Sequence, residues 1–385
     1  MAAAAVGGIL LASITLYAVL GGADFGGGLW DLLAGGDRRG MMPRRLIDDT
    51  ITPVWEANHV WLVFDLVIFW TAFPHAFAAV MTTTALPLWL ALLGIVLRGA
   101  GFAFRREVRR LSMQRLLGAT FAFSSMLVPF FMGTVTGAIA TGQVPANATS
   151  ASLAAWTNTT SILMGLLFTG ACGYLAAVYL AGEAARAGDD RMAVYFTRRA
   201  VAAGVVTGAL SLAALAELHS SNATLYHRLT GRALPLVIVA GVSGVAVLAM
   251  LVAGTRRRGV YLHVVRIIAA LGVAAVIWGW GVAQYPQLLP GTSVTLSNAG
   301  APDATLVAIV WLFVIVAVLI GPSFLLLYAL HGRSVLHSAE AGVLAANDGP
   351  PASRPGQGSA ALRHPAARAV ALALVAIAVI RRRQR

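Results

Sequence analysis

Pro53-Val54-Trp55-Glu56-Ala57-Asn58-His59-Val60-Trp61 opens a run that stays largely apolar as far as Phe73, yet it holds an acid, an amide and an imidazole. Working outward, Gly22-Ala23-Asp24-Phe25-Gly26-Gly27-Gly28 places another acid inside the first apolar run of the chain. Ionisable groups at membrane depth cost roughly 2.5–3.5 kcal/mol each on insertion scales, so they mark a proton or ion route or a partner contact. Segments this apolar that still carry such groups point to an all-α, polytopic membrane protein set in a lipid bilayer.

Composition agrees. Hydrophobic residues make up 58% of the chain and charged residues 11%, and the mean hydropathy is +0.79, which excludes an ordinary soluble core. A net charge of +13 would suggest nucleic acid in a soluble protein. Here the arginines sit in short connections between apolar runs, where they act as topology signals, and no nucleic-acid partner is expected. The single cysteine, Cys172, excludes an intrachain disulfide and reads as an inert buried thiol. Met1 to Ala5 contain no basic stretch and no evident cleavage site, so the first run reads as a retained helix.

A window of about 20 residues predicts about nine spans, near residues 4–29, 51–73, 76–100, 116–141, 159–182, 194–218, 233–254, 260–283 and 304–330. The connections alternate in charge. The first carries Arg38, Arg39, Arg44 and Arg45, the third Arg105, Arg106, Arg109, Arg110 and Arg115, the fifth Arg186, Arg191, Arg198 and Arg199, and the seventh Arg256, Arg257 and Arg258. The second, fourth and eighth have no Arg, and the sixth has only Arg228 and Arg232. By the positive-inside rule the N-terminus lies outside and residues 1–332 form the membrane domain. Residues 333–365, rich in Pro, Gly, Ser and Ala, read as a disordered linker. Residues 366–385 hold a short apolar run with a basic end, which suits an interfacial helix on an anionic leaflet.

With that topology Asp24 lies near the cytoplasmic end of the first span, Arg98 near the cytoplasmic end of the third, and Glu56 about 10 Å into the second at 1.5 Å per residue. The three reach a similar inner level, where a carboxylate pair beside an arginine suits a proton relay. The alternatives are a helix cap at Asp24 and a snorkelling Arg98. Glu56 and His59 share one face of their helix, and Asn58 and Asp65 share another. A helix polar on two faces needs packing on both sides, one against its own bundle and one against a partner or a cavity. His59 reads as a hydrogen-bonded core residue, since no ligand set at bundle spacing surrounds it. Trp70 suits an interfacial aromatic belt, whereas Trp55 and Trp61 lie deeper, as packing residues or contacts to a flat ligand. Arg266, one to two turns into the eighth span, reads as a snorkelling side chain.

At Gly22 to Gly28, Pro53 to Leu62, Thr71-Ala72-Phe73-Pro74, Leu97-Arg98-Gly99-Ala100-Gly101-Phe102, Tyr285-Pro286, Leu288-Leu289-Pro290 and Ser297-Asn298-Ala299, the chain resembles subunit II, the smaller integral subunit, of the cytochrome bd-type quinol oxidases. The resemblance extends over residues 1–330 or so and implies two four-helix bundles plus a peripheral helix. It implies no axial haem ligation and no metal in this chain, with haem b and haem d in a larger partner, subunit I. In such a complex quinol is oxidised, dioxygen is reduced to water, and this subunit stabilises its partner and supplies part of a cytoplasmic proton route. Asp24 and Glu56 then occupy the acidic positions of that route, with Trp55, Asn58 and Arg98 near the subunit interface and His59 orienting the hydrogen bonds. Some members hold a structural quinone, and small single-helix accessory subunits are a further partner class left open here. The location implied is the bacterial cytoplasmic membrane. Asp65 departs from the family pattern and reads equally as an extra relay site or a polar contact. The rival readings are a proton-coupled transporter, which intramembrane acids also suit, and a purely structural assembly subunit.

Overall fold

The computed structural model describes residues 1–51, 55–105, 111–254 and 260–331, and the described residues are overwhelmingly helical. The expected linker and terminal helix lie outside them. The first span is one apolar run, Ala2–Leu32, made of α1 (Ala2–Leu16), a π turn (Tyr17–Gly21) and α2 (Gly22–Leu32). A π turn loosens the regular ladder. The carbonyl of Leu20, inside it, accepts a hydrogen bond from Asn58 Nδ2 at 3.3 Å.

The arginine-rich first connection is itself a helix, α3 (Asp37–Ile51), where the sequence reading placed a plain connection. Ile47 on α3 is fully buried and Leu46 packs beside it, so two adjacent apolar residues anchor an otherwise polar helix. Arg44 ties α3 to α2 by donating from Nε to Asp31 Oδ1 at 2.7 Å.

The second and third expected spans are reorganised by proline. α4 (Trp55–Ala72) stops before Pro74, α5 (Pro74–Thr83) leaves at a bend of 118°, and α6 (Ala85–Arg105) starts after a second break at Thr84. Proline lacks the N–H that continues a helical ladder and clashes with the preceding turn. Carbonyls freed at such breaks need other donors inside a membrane. Ala301 N–H donates to Ala72 O at 2.8 Å, and Ser152 N–H donates to Thr83 O, the acceptor that Pro87 cannot serve, at 3.0 Å. The span expected over residues 76–100 is therefore divided between α5 and α6.

The chain continues through α7 (Leu111–Ala140), a short α8 (Leu153–Thr157), α9 (Thr159–Arg186), α10 (Asp190–Ser221), a short α11 (Ala223–Thr230), α12 (Leu234–Ala253), α13 (Val260–Gln284) and α14 (Asp303–His331). Asn158, Asp189 and Asn222 cap α9, α10 and α11, each accepting from a backbone N–H three residues on. Among the described residues seven helices are long and apolar enough to cross a membrane, or eight if α4 and α5 count as one broken span. The apolar stretch of α6, Ala85–Gly101, is shorter. α14 runs from the first compact unit, Met1–Trp311, into a second, Leu312–Arg385, whose described part is helical.

Within the first unit the helices form two groups of four. α1–α2, α4–α5, α6 and α7 make one, and α9, α10, α12 and α13 make the other; α2 and α7 both pack on α9 and join them. Small residues set the spacing at this joint, as is usual where packing rather than water drives helix association. A Cβ on Gly26 would stand 1.9 Å from the Cys172 carbonyl oxygen, and one on Gly133 would stand 2.5 Å from that of Met164. The second, fourth, sixth and eighth connections gather at one end, where Asn222 Nδ2 donates to Ala140 O at 2.7 Å and Arg232 Nη2 to Ala283 O at 2.6 Å. The first and fifth connections lie at the other.

Gly26→Ala forces backbone against backbone at the α2–α9 joint. It is expected to lower stability by about 1–3 kcal/mol, the usual cost of overpacking. Gly99→Ala, where no atom lies within 4 Å of the new Cβ, is expected to be neutral. Thermal unfolding of the detergent-solubilised protein, followed by size-exclusion chromatography, separates the two.

Candidate functional site

The polar centre of the first group is an ion pair closed inside the protein. Asp24 lies in the first turn of α2 and Arg98 in the second half of α6, and their side chains are 2% and 3% exposed. Arg98 Nη2 donates to Asp24 Oδ1 at 2.6 Å and to the Asp24 carbonyl at 3.2 Å, and Nη1 donates to Oδ2 at 3.1 Å. Its Nε donates to Ser125 Oγ on α7 at 2.9 Å, and Ser125 donates in turn to Phe121 O at 2.6 Å. The two-pronged geometry matches the guanidinium fork to the carboxylate plane. Aromatic rings close it in, with the guanidinium carbon 4.7 Å from the Phe25 centroid and 5.1 Å from that of Phe121.

Glycine makes the approach of these helices feasible. A Cβ on Gly28 would fall 2.3 Å from Ser125 Oγ, so a side chain there would collide with the serine that orients Arg98. A Cβ on Gly101 would press on the Leu117 carbonyl and Phe121.

α4 packs on α1 in a fixed antiparallel register. Asn58 reaches Leu20, and Asp65, seven residues further along α4, faces Ser13, seven residues back along α1. The face shared by Asn58 and Asp65 is therefore the face α4 turns to its own chain, and both residues are buried. By the same register the backbone of Glu56 stands level with Gly22, about 3 Å along the axis from Asp24. The side chains of Glu56 and Trp55 lie outside the described residues. His59, half-buried, sets its ring edge-on to Phe25 with centroids 6.0 Å apart. The same ring lies under the Arg98 guanidinium.

Asp24 and Arg98 are thus brought together directly, with Asn58, His59 and the Glu56 backbone grouped around them. Asp65 stands apart, two turns along α4. Sequence reading missed Ser125, Phe121 and Phe25, which complete the cage. The signal for them was faint: Phe25 adjoins Asp24, and the glycines that follow imply a close neighbour without naming it. It also misread Arg266, which does not snorkel: its Nη1 donates to Glu183 Oε1 at 2.9 Å and its guanidinium covers Tyr179. Charged residues can satisfy one another between helices, and an apolar window cannot reveal which do. Among the described residues no three His, Cys, Asp or Glu side chains converge as a metal site.

Comparison with known proteins agrees with this architecture. A family model described as cytochrome bd terminal oxidase subunit II matches residues 3–331. The chain is 31% identical over 156 residues to cytochrome bd ubiquinol oxidase subunit 2 of Bacillus subtilis, a match covering 40% of this chain and 45% of that protein. It is 27% identical over 131 residues to cytochrome bd-I ubiquinol oxidase subunit 2 of Escherichia coli, covering 34% of each. The matched segments thus span less than half of these relatives. The fold resembles a chain in the structure of bd oxidase from Geobacillus thermodenitrificans, with a TM-score of 0.71 and 22% identity over 86% of this chain and 98% of that one.

Removing one member of the ion pair leaves its partner charged, buried and uncompensated. Arg98→Leu is expected to cost about 3–5 kcal/mol, and the double change Asp24→Leu with Arg98→Leu to recover most of it. Thermal melts of the two variants beside the parent protein test this, and equal losses in both would refute it.

Proposed function

The chain belongs to the cytochrome bd terminal oxidase subunit II family, and from that premise we propose that it is the smaller integral subunit of a quinol oxidase of the respiratory chain. In this reading it lies in the bacterial cytoplasmic membrane, with its arginine-rich end in the cytoplasm. Its main partner is a larger subunit I, which carries haem b and haem d and receives electrons from quinol; the haems supply the chemistry that reduces dioxygen to water. His59 is the imidazole nearest the polar centre, and its ring packs on Phe25. That setting suits a packing role better than axial haem ligation.

The contribution proposed for this chain is twofold. It supports the haem-bearing subunit, and it leads protons inward from the cytoplasmic end. The observation that carries the second part is the buried Asp24–Arg98 pair, level with Glu56 near the arginine-rich end. Arg98 holds Asp24 in place as one half of a net-neutral pair, which anchors the polar centre on that side. Glu56, on the facing helix, is then the group that takes up and releases the proton. Asn58 and His59 hold the hydrogen-bonding geometry around it, and Trp55 adjoins the partner. Turnover is electrogenic because the protons consumed come from one side only. Structural quinone and accessory single-helix subunits remain compatible additions.

A second reading draws on the same pair. Both oxygens of Asp24 are engaged by Arg98, which suits a purely structural brace within an assembly subunit.

Two measurements separate the readings. A complex isolated through a tag on this chain is expected to show haem b and haem d bands in a reduced-minus-oxidised spectrum; a well-folded, haem-free preparation would move the assignment to a proton-coupled transporter. Glu56→Gln keeps shape and removes titration. It is expected to slow oxygen consumption by about 10²-fold with haem content intact. Haem loss in that variant, or unchanged proton uptake, would favour the structural subunit.

A further inference from the structure

Asp65 has no ion-pair partner among the described residues, although it sits in the middle of a helix within the bilayer. Its Oδ1 is buried without a hydrogen-bond partner. The same holds for Tyr17 OH on the facing helix, while Ser13 Oγ has no partner there except Asp65 itself, which it approaches without completing a well-formed hydrogen bond. Ser13 and Tyr17 are four residues apart and share one face of the first span. Ser13 is the polar side chain that faces Asp65, and Tyr17 stands one turn further along the first span, towards Asp24. Tyr17 also sets its ring edge-on to Phe25, with centroids 6.3 Å apart, and Phe25 is the ring under the Arg98 guanidinium.

Polar atoms left short of partners in an apolar interior are costly. One of them is a carboxyl with no cation beside it, and the ionised form there would cost far more. Buried water removes such costs, because one molecule bonds about three polar groups.

We propose that Ser13, Tyr17 and Asp65 enclose a file of ordered water between α1 and α4, and that Asp65 is a neutral carboxylic acid exchanging protons with that file, as a proton-holding station beyond Asp24 and Glu56. The exchange is balanced: the Asp65 O–H gives its proton to one water while another water returns a proton to the second carboxyl oxygen. The acid is neutral before and after. The use of those protons in oxygen reduction rests on the function proposed above, whereas the hydrated seam itself does not.

The test is an infrared hydrogen–deuterium exchange difference spectrum of the tagged complex, compared with Asp65→Asn and Asp65→Leu. The expected result is a protonated-carboxyl C=O band that shifts in D2O and is lost in both variants, with haem bands unchanged. Ser13→Ala and Tyr17→Phe are expected to move that band without abolishing it. A spectrum that is the same in Asp65→Asn, or an Asp65 band that ignores D2O, would overturn the proposal. Should substitution at Asp65 prevent assembly, a band unmoved by both Ser13→Ala and Tyr17→Phe would overturn it as well. A haem-free preparation would sink the oxidase reading while leaving the carboxyl band measurable, so the two ideas fail separately.

Discussion

One buried ion pair organises the first half of this molecule. Two opposite charges taken out of water are tolerable only when every donor and acceptor is met. Arg98 approaches that condition by using both prongs of its guanidinium on Asp24 and its Nε on Ser125. The pair therefore fixes three helices at once: α2 through Asp24, α6 through Arg98 and α7 through Ser125. The glycines around it are consequences of the same demand, since a side chain on Gly28 would displace Ser125.

The prolines impose a complementary constraint at the opposite end. Breaking α4 from α5, and α5 from α6, leaves backbone carbonyls in a region without bulk water. The chain answers with distant connections: Ala301 reaches the Ala72 carbonyl and Ser152 the Thr83 carbonyl. Each break is thus also a tie between segments far apart in sequence. The apolar core around Phe73, Val80, Val144, Leu289 and Leu306 forms where those ties meet. One end of the molecule is held by backbone hydrogen bonds across loops, and the other by charges between helices, with Asp31–Arg44 and Glu183–Arg266 joining the central pair.

Between the two ends the α1–α4 seam gathers Ser13, Tyr17 and Asp65, each with a buried polar atom short of a hydrogen bond. Many hydroxyls along the helices bond to the preceding turn, as Thr15, Thr50 and Ser125 do. Ser13 and Tyr17 do not. Natural interiors rarely leave such groups alone. Their alignment with Asp65 in one register gives the seam a chemical character that no single residue in it has.

Much of this was legible before any coordinates. Hydropathy alone established a polytopic helical protein, because a backbone in lipid must satisfy its own hydrogen bonds and a helix does so locally. The arginine periodicity separated the two sets of connections, and the cost of burying charge singled out Asp24, Glu56, Asp65 and Arg98. Partners were beyond its reach. That Arg98 takes Asp24 and Ser125, that Arg266 takes Glu183, that Asn58 takes the Leu20 carbonyl, and that a span expected over residues 76–100 divides at Thr84 were all decided by tertiary structure. The physical reason is one of range. Hydrophobicity and helical ladders act within a segment and are written in consecutive residues, whereas an ion pair or a displaced carbonyl is satisfied by whichever group the packing brings within 3 Å or so.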